Sequence, residues 1–151
     1  MESLKKKIVE TIDGNAEEMI HSLAELVRIP SVVGSEGKAQ KWIQETLRSI
    51  GLDTESFEAD KDELLKHPDY VSVDWSYEGR PNVIGMLRGD PQAKSLILNG
   101  HVDVVSPEPV GQWKHDPWGA EIVEGKMFGR GTADMKGGLI AVIYAVKALI
   151  E

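Results

Sequence analysis

Two periods govern the apolar positions of this chain. After Asn15, the residues Ile20, Leu23, Leu26 and Val27 fall on one side of a 3.6-residue repeat, which predicts a helix with Asn15 as its N-cap. Pro30 ends it, since a residue that precedes proline is pushed out of the helical region. "SVVGSEGK" then reads as a turn, with Ser35 the expected cap of a second helix. The apolar face of that helix is Ala39, Trp42, Ile43, Leu47 and Ile50, and Gly51 closes it. Upstream, Lys5-Lys6-Lys7 lies on a solvated first helix.

The period then shortens. "LDTESFE" predicts a short strand and "NVIGMLRG" another, separated by a polar, irregular stretch over 60–80 that reads as a loop or surface hairpin. "AKSLILNGHVDVV" predicts a more deeply buried strand, because Leu96, Ile97 and Leu98 form an apolar ribbon suited to cover on both faces. Three prolines and two tryptophans between Ser106 and Trp118 argue for a long ordered loop, and Glu124-Gly125 marks a turn inside a β-like pattern. Last comes a helix in "MKGGLIAVIYAVKALIE". From Leu139 on it is apolar on every side, with Lys147 its one charge before Glu151, and such a helix is normally buried in a larger body. The expectation is therefore a truncated α/β unit, helices on a mostly parallel sheet, with the sheet incomplete.

Composition narrows the function classes. Acidic side chains outnumber basic ones, 25 to 17, for a net charge of -8, which disfavours a nucleic-acid footprint. There is no cysteine, so disulfides and thiolate metal sites are excluded. No secretory h-region follows the early lysines, and the longest apolar stretch is too short to span a bilayer. The expectation is a cytoplasmic protein with neither nucleic-acid nor membrane partners.

Candidate chemistry begins at the end of the buried strand. His101 and Asp103 stand two positions apart and so point to one side, while Val102 points away. A histidine beside an aspartate is by default a hydrogen-bonded polar pair, but in open α/β sheets ligands bind beyond the carboxyl ends of the strands. A metal-bound imidazole also passes its other N–H to a carboxylate, a role open to Asp103. The second cluster is "GRGTADMKGG", which matches neither a P-loop nor a dinucleotide fingerprint. Within it Asp134 reads either as an N-cap for the last helix or, taken with His101, as a metal ligand; nitrogen and oxygen donors of this kind suit zinc, cobalt or manganese. His21, His67 and His115 read as surface residues, Trp113 and Trp118 as loop anchors. Arg130, between two glycines, is a candidate to pin its loop through a carboxylate.

Taken together, His101-x-Asp103, the tryptophan loop from Trp113 to Trp118, and Gly129-Arg130-Gly131 three residues before Asp134-Met135-Lys136-Gly137 resemble the acetylornithine deacetylase and succinyl-diaminopimelate desuccinylase family. Carboxypeptidase G, aminoacylases and several dipeptidases are its relatives. "LAELVRIPSVVGSEGKAQKWIQETLRSIGLD" is similar to the family's opening helices, so the likeness runs over nearly the whole chain, with 60–80 the least diagnostic part.

The resemblance implies a three-layer α/β/α zinc-peptidase-like catalytic domain, of which residues 1–151 would be the N-terminal part. It implies two divalent metal ions, zinc first and cobalt or manganese as alternatives. His101 would bind one metal, Asp134 would bridge both, and Asp103 would clamp the imidazole as the catalytic aspartate. The bond after Asp134 would be cis. The substrate would be a small N-acyl amino acid or a short peptide, and the parent a homodimer. The family's Glu-Glu pair, its further ligands and its lid and dimerisation domain have no counterpart here, since no Glu-Glu follows Asp134. The chain alone is then expected to be inactive and to hold metal weakly or not at all. The alternatives are a related carboxypeptidase or dipeptidase, or a noncatalytic truncated module that binds a partner through its apolar helix.

Overall fold

A computed structural model describes residues 2–151. Helix α1 (Glu2–Gly14) buries no residue and turns at Asn15 into α2 (Ala16–Arg28). Asn15 stands at the N-cap position but does not cap. Its backbone N–H and side-chain Nδ2 both donate back to the Thr11 carbonyl, at 3.1 and 2.9 Å, so its side chain closes α1 while its carbonyl, accepting from the Met19 N–H at 2.9 Å, opens α2. Of the predicted face, Leu26 and Val27 are wholly buried, whereas Ile20 is about half exposed at 49%. Ile29, before Pro30, is extended at φ -89 and ψ 107, as a pre-proline residue should be.

Helix α3 (Gly37–Ser49) presents Ala39 and Ile43 to the core, with Trp42, Leu47 and Ile50 packed beside them, and Gly51 leaves it at φ 92. Its N-cap position is Glu36, not Ser35, and the Glu36 side chain turns back to accept from the Gly34 N–H at 3.1 and 3.0 Å. Strands β1 (Asp53–Phe57) and β2 (Asn82–Met86) pair antiparallel, Asp53 opposite Met86 and Phe57 opposite Asn82. They lie under α3 so closely that a Cβ on Gly85 would sit 3.0 Å from methyls of Leu47 and Leu52. The loop between the strands holds one helical turn, α4 (Lys61–Leu64), capped by Asp60.

The apolar ribbon departs from expectation. Residues 95–100 form no strand, and Leu96, Ile97 and Leu98 are 80%, 87% and 50% exposed. A parallel strand needs a hydrogen-bonding neighbour and a covered face, and the described residues supply them only farther on. There Val102 and Val104 are buried, Val104 forms a parallel bridge with Val32, and its N–H donates to the Ser31 carbonyl at 2.9 Å. The strand ladders among the described residues are thus antiparallel pairs, and the parallel element is this single bridge.

A hairpin of β3 (Glu121–Val123) and β4 (Lys126–Phe128) follows, turning at Glu124 and Gly125 with φ 49 and 74, both in the left-handed region of a two-residue hairpin turn. Helix α5 (Gly137–Ile150) closes the chain. It is covered on one face, through Ile140, Ile143, Tyr144 and Ala148, rather than all round; Leu149 and Ile150 stay exposed. The main core joins α2, α3 and α5 about Val102, so the segment carrying the candidate site starts from the middle of the molecule. Inside this core the Ser22 and Tyr144 hydroxyls meet at 2.9 Å.

Candidate metal centre

Backbone space decides where His101 can sit. A Cβ on Gly100 would lie 2.6 Å from Leu139 Cδ2 and 2.9 Å from Met135 Cε, so the chain passes close to the start of α5 and any side chain here would have to displace the ends of Leu139 and Met135. The next residue projects its ring between two carboxylates. His101 Nδ1 lies 3.0 Å from the Asp103 carbonyl oxygen and 3.4 Å from its Oδ1, while Nε2 lies 3.3 Å from Asp134 Oδ1. The three residues singled out from sequence are therefore brought together, with Asp103 and Asp134 on opposite ring nitrogens.

Asp134 arrives from a tight loop. Gly131 is left-handed at φ 85, and a Cβ there would lie 2.6 Å from Val104 Cγ1. The loop makes one wide turn over Thr132–Lys136, broken at Asp134, which is extended at φ -132 and ψ 102, and the Asp134–Met135 bond is cis, as the resemblance implies. Asp134 is consequently not the N-cap of α5; that position belongs to Lys136. The carboxylate is freed to face His101, with its side chain 89% exposed.

Donor chemistry tests the fit to a metal. With Nδ1 donating to Asp103, Nε2 presents a lone pair to the Asp134 carboxylate. Two lone-pair groups at 3.3 Å require a cation or a proton between them. Zinc bonds to nitrogen and oxygen of about 2.0–2.2 Å at a tetrahedral angle give a ligand–ligand edge of roughly 3.3–3.5 Å, which matches. The pair fits one edge of such a site and no more. Among the described residues there is no group of three or more His, Cys, Asp or Glu side chains able to hold a metal.

Two groups with no role assigned from sequence flank this centre. Lys136 is completely buried, its Nζ donating to the Leu26 and Ile29 carbonyls at 2.9 and 2.8 Å, and burial pushes its ammonium down to about 8. Arg80 forms a two-pronged pair with buried Glu36, Nε to Oε2 at 2.8 Å and the second nitrogen to Oε1 at 2.6 Å. Burial is the largest single influence on the Glu36 carboxyl and pushes it up. Hydrogen bonds from Arg80 and from backbone N–H groups, with the Arg80 charge, outweigh it and hold the group below the usual carboxylate range. The Arg80 guanidinium is raised mainly by Glu36 and feels the Asp103 charge as well. The available signals were slight: a lysine at the mouth of an apolar helix, and an arginine just before a strand.

Other candidates settle outside the centre. Among the described residues Arg130 forms no ion pair with a carboxylate; its guanidinium lies over the Trp113 ring at 4.8 Å and touches the Ser106 carbonyl at 3.5 Å. Trp113 is the loop anchor expected, its indole N–H donating to the Pro107 carbonyl at 2.8 Å. His115 is more than a surface residue: it stacks on Phe128 at 4.1 Å and meets Glu121 at 2.8 Å. His21 and His67 stay exposed beside Glu25 and Asp69. A surface cavity of about 750 Å³ is lined by Trp113, His115, Phe128 and Arg130 among others, and by none of His101, Asp103 and Asp134.

Known proteins share this arrangement of chain. Residues 97–151 match the model of Peptidase family M20/M25/M40. The N-formyl-4-amino-5-aminomethyl-2-methylpyrimidine deformylase of Bacillus subtilis (strain 168) is 37% identical over 155 residues, covering 99% of this chain and 31% of that protein. Succinyl-diaminopimelate desuccinylase 1 of Ruegeria sp. (strain TM1040) is 36% identical over 128 residues, 85% of this chain and 29% of its own length. In structure, human carnosine dipeptidase 1 superimposes with a TM-score of 0.77 at 26% identity, over 96% of this chain and 31% of that one. The chain thus spans about a third of the length of the curated relatives it matches. The order of the motifs, the likeness of the fold and the family match agree: this chain fits Peptidase family M20/M25/M40.

Proposed function

We propose that this chain is the N-terminal part of the catalytic domain of a metal-dependent amidohydrolase, and that His101, Asp103 and Asp134 are its share of the active site. One observation carries the reading: the His101 ring is held between two carboxylates, with Nε2 and Asp134 Oδ1 at 3.3 Å. His101 and Asp134 would hold the metal, zinc by preference, and Asp134 would serve a second ion as well. Asp103 accepts a hydrogen bond from the Nδ1–H through its backbone carbonyl at 3.0 Å, with its carboxylate 3.4 Å away, which fixes the ring's tautomer and direction. When bound, the metal pair supplies carbonyl polarisation and a water acidified toward neutral pH. The general base that moves the water's proton to the leaving amine belongs to no residue between Asp134 and Glu151.

The named relatives are a deformylase of an N-formyl aminomethylpyrimidine and a desuccinylase of succinyl-diaminopimelate; both names support a small N-acyl compound, and the second supports an N-acyl amino acid. Desuccinylation of succinyl-diaminopimelate or deacetylation of acetylornithine is the specific form we favour. A dipeptidase is the second reading, supported by the structural likeness to carnosine dipeptidase 1. With the first reading go a cytoplasmic, homodimeric parent and no nucleic-acid or membrane partner.

The test is hydrolysis by the zinc-loaded parent enzyme that contains this chain, assayed on N-succinyl-diaminopimelate, N-acetylornithine and carnosine. Activity on an acyl amino acid, abolished by His101→Ala, is expected. Undiminished turnover in His101→Ala would remove the metal role, and turnover of carnosine alone would favour the dipeptidase. The 151-residue chain by itself should show no turnover and only weak zinc binding, since it offers two of the usual four ligands.

A further inference from the structure

Two ligands from distant parts of the sequence need a common frame to be held 3.3 Å apart. His101 and Asp134 have one, in the stretch from Leu26 to Val32 where α2 ends. On one side of it, Ser31 grips the histidine segment: its Oγ donates to the Val102 carbonyl at 2.6 Å, and its own carbonyl accepts from the Val104 N–H at 2.9 Å. On the other side, Lys136, two residues past Asp134, drives its ammonium into the same stretch and donates to the Leu26 and Ile29 carbonyls. A helix leaves its last carbonyls unpaired and carries partial negative charge there, which is where a buried cation without a carboxylate partner is best placed. Lys136 and Ser31 are both completely buried, so neither contact is diluted by solvent. The Lys136 N–H also donates to the Gly131 carbonyl at 2.9 Å, closing the loop that carries Asp134 around the same anchor.

We propose that Lys136 is a positioning residue, which together with Ser31 uses the end of α2 as a shared base plate to set the distance between His101 and Asp134. The inference rests on the metal reading for the purpose of that distance; the distance itself is a property of the metal-free chain. A site whose supporting contacts are lost typically loosens by about 1 Å. That matters for a metal edge and is measurable without any metal.

The experiment is solution NMR on the 151-residue chain, reading the cross-relaxation peak between the His101 Hε1 and Asp134 Hβ protons, whose intensity falls with the sixth power of distance. Lys136→Met keeps an unbranched chain of similar length and removes both carbonyl contacts. We expect the peak to weaken severalfold relative to wild type. Ser22→Ala, which removes a buried hydrogen bond elsewhere in the core, should leave it unchanged although it also lowers stability. Ser31→Ala loosens the plate from the histidine side and should weaken the same peak, which decides the matter if Lys136→Met does not fold. A full-strength peak in folded Lys136→Met, or in Ser31→Ala, would overturn the proposal. Hydrolysis by the zinc-loaded parent separates the two readings. Undiminished turnover in His101→Ala would sink the metal assignment, while the peak intensities in the 151-residue chain would still decide the positioning role.

Discussion

Replacing Arg80 by methionine would leave the Glu36 carboxylate buried without its cation. The Glu36 side chain is 7% exposed and Arg80 16%, and the pair is two-pronged, so this is a desolvated ion pair rather than a surface one. Removing one partner of such a pair costs about 3–5 kcal/mol. The single Gly34 N–H, shared between the two carboxylate oxygens, stays in place as partial compensation, which puts Arg80→Met near the lower end, about 3 kcal/mol. Urea unfolding followed by tryptophan fluorescence at neutral pH measures it. The double variant Glu36→Gln with Arg80→Met should cost less than the two single changes added, by at least about 1 kcal/mol, since the groups share their contacts. The pH dependence supplies a second signature. In wild type the Glu36 carboxyl is held below its ordinary value of about 4.3, so over that window the unfolded chain binds more protons. The pair's stabilisation is therefore fully present above that ordinary value and is lost as pH falls through the depressed folded one. In Arg80→Met the burial that opposes ionisation loses its main counterweight, and the contribution of Glu36 should shrink or change sign. An Arg80→Met chain within about 1 kcal/mol of wild type, the value of an exposed pair, would refute the argument.

Three further outcomes are expected. Gly131→Ala forces a side chain into a left-handed position at φ 85 and against Val104, and should cost at least about 2 kcal/mol in chemical denaturation. Glu124→Asn suits the left-handed first position of the hairpin turn and should raise the thermal midpoint by about 1–2 °C, from a gain of a few tenths of a kcal/mol, read by calorimetry. Asp103→Asn in the parent enzyme keeps the shape beside His101 Nδ1 and removes the charge that orients it; zinc affinity or kcat/KM should fall by about 10–100-fold, and an unchanged enzyme would deny Asp103 its role.

Much of this architecture was legible locally. Pro30 and Gly51 end their helices through backbone restrictions that operate at any position in any fold, and Glu124-Gly125 turns its hairpin for the same kind of reason. The two-residue spacing of His101 and Asp103 placed both on one side because that alternation belongs to extended backbone itself. What sequence could not convey depends on distant partners. Leu96 to Leu98 have the composition of a covered strand, but cover comes from elsewhere, and here it begins only at Val102. Ser35 is the better cap by type, yet Glu36 holds the position, and its buried carboxylate is paired with Arg80, forty-four positions away in sequence. Lys136 and Ser31 act through backbone carbonyls and N–H groups, which every residue possesses, so no residue pattern announces their targets. Arg130 invited a carboxylate partner and found an indole face instead.

The bare ribbon at Leu96, Ile97 and Leu98 has its own consequence for the molecule in bulk. Extended apolar backbone with unspent donors and acceptors is a template on which an identical segment can zip, and natural proteins usually blunt it with charge. Here Lys94 at one end is the nearest such brake, so crowding these chains together favours stacking through this stretch.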